Sequence, residues 1–164
     1  MRLLSTALSA LALALLTSPG ARAGECSFIK TSIVTTFSFT DCTSPVGICT
    51  AGTIDTGDLE GTTWFTALSI APGVDPDVLL YTGELVITTA SGTLTLNDTG
   101  ALNGATGQYF ETQEVVAGTE VYSQATGSLR SQGMATGTGF AGNLRGDVCT
   151  GGDPTIFSGD VAIE

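Results

Sequence analysis

The sequence contains no histidine. A histidine-based triad, a histidine-ligated zinc site and an imidazole general base are therefore excluded. Cations are almost as scarce, with five Lys and Arg against sixteen Asp and Glu. That balance disfavours nucleic acid and anionic membrane surfaces, which both need cationic partners. No glycine-rich segment leads into a helix bearing a lysine, so there is no P-loop. The stretch Gly73-Val74-Asp75-Pro76-Asp77 lacks the ligand spacing of a twelve-residue calcium loop and reads as a turn. A hydrolase is the least supported enzyme class, because no nucleophile motif is present.

Long apolar runs are missing too, except at the start. Met1 and Arg2 precede LLSTALSALALALLTS, and Ala21-Arg22-Ala23 follows as a small-x-small cleavage pattern. The run falls short of the roughly 20 apolar residues of a membrane span, so residues 1–23 read as a secretory signal peptide. Residues 24–164 then form a single domain with a usable core. Cleavage removes Arg2 and Arg22, two of the five cations, so the formal net charge moves from −11 to −13. Lys30, Arg130 and Arg145 are the cations left in the secreted chain.

Helical stripes are absent, and threonine, glycine and β-branched residues dominate. Strands are predicted over 33–39, 59–70, 79–89, 93–99, 108–116, 128–135, 140–148 and 156–163. Ser91-Gly92 reads as a hairpin turn, and Asn103-Gly104-Ala105-Thr106-Gly107 as another turn. Eight strands with short connections predict an all-β, antiparallel up-and-down barrel, which removes exposed sheet edges. A two-sheet sandwich would need longer crossings.

Four cysteines, Cys26, Cys42, Cys49 and Cys149, favour two disulfides in a secreted chain. Three connectivities are open. Strand parity in the predicted set leans slightly to Cys49–Cys149. A separate strand over 52–55 would reverse that parity and pair Cys26 with Cys149 and Cys42 with Cys49.

Gly100-Ala101-Leu102-Asn103-Gly104-Ala105-Thr106-Gly107 resembles the G-x-L-x-x-A-T-G turn of the allene oxide cyclase barrel-like proteins. Gly118-Thr119-Glu120-Val121-Tyr122-Ser123-Gln124-Ala125-Thr126-Gly127 resembles their G-T-G-x-(F/Y)-x-G-A-T-G motif, shared more loosely by plant dirigent proteins. Gly57-Asp58-Leu59-Glu60-Gly61 resembles an early strand pattern of the same group. Glu120 and Gln124 stand where the motif has glycine, which implies a differently turned segment. The resemblance implies an eight-stranded barrel with an apolar central cavity, often assembled as a homotrimer. It implies no cofactor, and either cyclisation of a reactive lipid intermediate or steering of phenolic radicals. No catalytic residue of the plant cyclases finds a match in this chain.

Cofactor-free chemistry of that kind needs an acid–base or charge-stabilising group inside a shaped cavity. Asp98 is in register with Leu94 and Leu96. Facing inward, it would have a raised pKa suited to proton transfer; at a strand end it would meet water. Asn97-Asp98-Thr99 is also a glycosylation sequon, whose use would put Asn97 outside. Glu60 shares a face with Trp64 and Leu68, which reads as a lumen face or as an exterior position beside a surface tryptophan. Tyr109 shares a face with Glu111 and is either an oxyanion donor or an amphipathic filler at the mouth. Arg130, aligned with Met134, and Arg145 are either substrate-carboxylate anchors or surface ion-pair partners.

The catalytic candidates are thus Asp98, Glu60, Arg130 and Tyr109. The ligand-binding candidates are Trp64, Leu94, Leu96, Met134 and Arg145. The expected ligand is a hydrophobic or phenolic small molecule, and the rival reading is a non-catalytic carrier or surface interaction protein. An open apolar lumen holding Asp98, Glu60 or Arg130 would favour chemistry, whereas a plugged lumen would favour the rival.

Overall fold

The structure, a computed structural model, describes residues 24–151. Both the leader over 1–23 and the strand expected over 156–163 lie outside the described residues. Eight antiparallel strands run in chain order: β1 (Glu25–Phe37), β2 (Cys49–Ile54), β3 (Gly61–Pro72), β4 (Val78–Thr89), β5 (Gly92–Asn103), β6 (Gln108–Gly118), β7 (Thr126–Ala135) and β8 (Gly139–Thr150). Each pairs with its neighbour in sequence, and β8 returns to β1 to close the barrel. The expected eight-stranded up-and-down barrel is thus the observed one, built from a different set of eight strands. β2 replaces the predicted closing strand. Six residues containing Ala51-Gly52 carry little alternation, so this strand left almost no periodic signal.

With β2 present, the strand parity reverses. Cys26 faces Cys149 across the β1–β8 ladder and is bonded to it, and Cys42 is bonded to Cys49. The lean to Cys49–Cys149 is corrected: the additional strand carries Cys49 to the opposite rim from Cys149.

The inward side chains divide the lumen into two halves. Towards the rim where β1 begins, they are aliphatic: Ile29, Ile54, Ile87, Leu94, Leu96, Leu129 and Val148 form one buried cluster. Leu94 and Leu96 have no exposed surface at all. Because neighbouring strands leave such a site little room to collapse, Leu96→Ala is expected to cost about 2–5 kcal/mol. Urea unfolding of the variant measures it, and a loss below about 1 kcal/mol would contradict a close-packed plug.

The segment after β6 packs across part of that end. A single 3-10 turn, Glu120–Tyr122, tucks the Tyr122 ring under the cluster, and its hydroxyl donates to the Asp58 carbonyl at 3.1 Å. Glu120 has φ 52°, in the left-handed region that glycine tolerates best. The backbone therefore keeps a glycine-like geometry here despite the side chain. Gly118 belongs to the same closure, since any Cβ on it would strike Tyr122.

Towards the other rim the inward positions are glycines, aromatics and polar residues. Gly83, Gly100, Gly133 and Gly142 alternate inward there by strand parity. A Cβ on Gly100 would collide with the Tyr81 ring, and one on Gly142 with the Tyr109 hydroxyl. These glycines let large rings lie flat against the wall and leave space in the middle. A bulge in β3 between Ala67 and Ser69 reverses its alternation, so that Ile70 joins the lining.

Candidate functional site

The space left by those glycines is a cavity of about 150 Å³. Phe37, Ile70 and Leu79 form its lip, each partly exposed to solvent. Deeper walls carry Phe65, Tyr81, Tyr109 and Phe140, and Ile33 and Leu85 separate the cavity from the aliphatic plug. Two edge-to-face ring pairs, Phe65–Tyr81 and Tyr109–Phe140, brace the walls. The lining contains two carboxyl groups and no cation.

Asp98 and Glu111 supply those carboxyls. Asp98 is in the middle of β5 and only 3% exposed, so the inward reading describes it and the strand-end reading does not. Asn97 faces outward, as strand alternation requires. Gln113 lies directly opposite Asp98 in the β5–β6 register and is 1% exposed. Its amide nitrogen bridges the acids, donating to Asp98 Oδ2 at 2.9 Å and to Glu111 Oε2 at 3.2 Å. Tyr81 donates to Glu111 Oε1 at 2.7 Å, and the Tyr109 and Ser131 hydroxyls lie 3.1 Å apart.

Burial pushes the Asp98 carboxyl up from 3.8 to about 8, with the Glu111 charge adding to it and the Gln113 bond opposing it. Glu111 is also raised by burial, opposed by the Tyr81 hydrogen bond. Both tyrosines are raised, again chiefly by burial, so both hydroxyls keep their protons at neutral pH.

Hydrogen bonding distinguishes the two acids. Asp98 Oδ1 and Gln113 Oε1 are buried acceptors without a partner. They belong to the same facing pair, so a proton on Asp98 supplies the donor that the pair lacks. An ionised Asp98 would instead leave both oxygens as unmatched acceptors in an apolar wall, at a cost of about 1–3 kcal/mol each. Glu111 is placed the other way, with a donor on each oxygen. Burial raises both acids, and of the two the hydrogen bonds favour the proton on Asp98 and the charge on Glu111.

Of the nine candidates read from the sequence, Asp98 and Tyr109 line the cavity. Leu94 and Leu96 face inward but belong to the plug at the other end. Glu60 lies in the β2–β3 connection beyond that plug, exposed to solvent. Trp64 points outward, and its indole donates to Thr66 Oγ1 at 3.2 Å on the barrel exterior. Met134 is 45% exposed on the outer wall. Arg130 and Arg145 are exposed as well, facing each other across the β7–β8 ladder, with Lys30 next in line on β1. The inward readings of Glu60, Trp64, Arg130, Arg145 and Met134 are therefore corrected: alternation puts the last four on the outside, and β3 starts after Glu60.

Glu111, Gln113 and Tyr81 were not singled out as site residues. Glu111 was visible as sharing a face with Tyr109, but no local pattern showed that this face met Asp98. Only the β5–β6 register joins them.

No helix among the described residues is long and apolar enough to cross a membrane, and no group of metal-ligating residues occurs among them. Comparison of the chain with protein-family models, curated proteins and solved structures gave no match.

Proposed function

We propose that this chain is a secreted barrel that binds a small hydrophobic or phenolic molecule in its open half and transfers protons to and from it without a cofactor. One observation supports the reading: a solvent-reachable apolar cavity lined by two buried carboxyls, Asp98 and Glu111, bridged by the Gln113 amide. Glu111 is the base, oriented by Tyr81 and Gln113. Asp98 is the acid, with its pKa near the working range. Such a pair suits isomerisation or cyclisation of a carbon acid, in which a proton leaves one carbon and another is returned elsewhere. The resemblance to allene oxide cyclase-like and dirigent proteins points the same way. Two disulfides suit an oxidising compartment and agree with secretion.

A carrier is the second reading, and the saturation of Glu111 by two donors favours it. Exchange of the α-hydrogens of phenylacetone for deuterium, followed by NMR in D2O, separates the two. Catalysis predicts exchange about 100-fold above buffer, within the usual reach of acid–base groups, and its loss in Glu111→Gln. Exchange no faster than buffer, with the ketone bound, would leave the carrier. Native mass spectrometry of the secreted protein reads ligand occupancy and trimer mass together.

A further inference from the structure

Among the described residues, every cation lies on the outside of the barrel. Lys30, Arg145 and Arg130 form one exposed row across β1, β8 and β7, separated from the cavity by the wall itself. The cavity lining holds Asp98 and Glu111 and nothing to neutralise them. Glu111 accepts hydrogen bonds on both oxygens, from Tyr81 and the Gln113 amide, and is the acid placed to carry a negative charge. A charge enclosed by apolar walls without a counterion is costly, and it is relieved by any cation that can reach it.

We infer that the ligand of this cavity carries a basic nitrogen, whose protonated form sits on the Glu111 carboxylate between the Phe65–Tyr81 and Tyr109–Phe140 ring pairs. The inference rests on the carrier reading of the cavity, since an ammonium paired with Glu111 occupies the carboxylate that proton transfer would need. Four rings around a carboxylate provide both of the elements that hold an ammonium: a countercharge and the negative faces of aromatic systems. The apolar lip at Phe37, Ile70 and Leu79 suits the hydrocarbon part. A volume of about 150 Å³ suits a single ring with a short chain. The negative chain as a whole also concentrates cations at the mouth. A ligand carboxylate would instead meet two acids and no cation. Arg130 and Arg145, one reading of which was a carboxylate anchor, lie outside, so the site selects against anions.

Three probes of one shape test this: phenethylamine, 2-phenylethanol and 3-phenylpropanoate, titrated into the full secreted protein at pH 7.5 by calorimetry. The amine is expected to bind about tenfold or more tighter than the alcohol, with no measurable binding of the carboxylate. Glu111→Gln is expected to remove most of the amine's advantage while leaving the alcohol within about twofold. If that variant does not fold, the wild-type protein supplies the same contrast. As pH falls and Glu111 takes up a proton, the amine weakens and the alcohol does not. Tyr81 and Tyr109 stay neutral throughout, and Asp98, pushed up to about 8, takes up a proton in the same direction, so none of them alters that sign. Equal binding of alcohol and amine, or tighter binding of the carboxylate, overturns the inference and leaves the small-molecule reading intact. Failure of all three to bind at millimolar concentration overturns that reading and the inference with it.

Discussion

Asp98→Asn is expected to raise the melting temperature at pH 8.5 and to flatten the dependence of stability on pH. The folded Asp98 carboxyl has its pKa raised from 3.8 to about 8, so between those values the native state binds a proton that the unfolded chain releases. Stability must therefore fall as pH rises from about 4 to about 8, and it levels off above that. Each pH unit in the window costs at most about 1.4 kcal/mol for one proton, so the loss from pH 5 to pH 8 is roughly 2–4 kcal/mol. For a domain of this size that is a drop on the order of 5–10 °C. The raised Glu111 carboxyl adds to the trend with the same sign. Asparagine carries the amide donor that a neutral Asp98 presents to Gln113, without a group that can ionise. Thermal unfolding followed by circular dichroism at pH 5, 7 and 8.5 reads the effect. Parallel pH profiles for the two proteins would show that Asp98 does not hold the proton assigned to it.

Removal of the Cys26–Cys149 bridge is expected to be the most damaging change outside the core. The bond joins the first strand to the last, across a sequence separation of 123 residues. Closing so long a loop restricts the unfolded chain strongly, and in the chain-entropy account it contributes about 4–5 kcal/mol. It also fastens the far end of the β1–β8 ladder, the one pairing in the barrel that no hairpin connection enforces. The Cys42–Cys49 bond spans seven residues and secures the loop into β2, so its loss should cost about 2–3 kcal/mol. Urea unfolding of Cys26→Ser/Cys149→Ser and Cys42→Ser/Cys49→Ser double variants gives the ranking. If the second pair proved the costlier, barrel closure would not depend on the first.

Much of the fold was legible because its signals are local. Alternation in β4 and β5, the Ser91-Gly92 hairpin and the glycine turns each occupy only a few residues, and together they defined an up-and-down barrel. β2 entered only as the alternative strand over 52–55, because six residues with an internal Ala-Gly carry too little alternation. Its absence from the count then misdirected the disulfide lean, since parity counts every strand. At Glu120 the missing glycine suggested a different turn. In the structure Glu120 has φ 52° at the start of the 3-10 turn that carries the buried Tyr122.

The site was only half legible, and for a related reason. Alternation groups residues by face, so it linked Asp98 with Leu94 and Leu96, and Tyr109 with Glu111. It does not say which face is inside or how far along the barrel axis a residue sits. Leu94 and Leu96 share the inward face with Asp98 yet fall in the plug, and Trp64 and Arg130 lie on faces that look outward. The inward glycines at 83, 100, 133 and 142 were the overlooked signal, since small residues on the lumen face are what leave room for a cavity.

By itself, the sequence determined that histidine chemistry is impossible and that cations are too few to serve nucleic acid. It also determined that the chain alternates as strands with short turns. Those properties depend on composition and on neighbours a few residues apart. Tertiary structure alone decided that one half of the barrel is filled and the other hollow. It also decided that Gln113 bridges Asp98 to Glu111 and that every cation among the described residues stays outside the wall. These depend on strand register and closure, which join residues remote in sequence and so leave no mark in any short window of it.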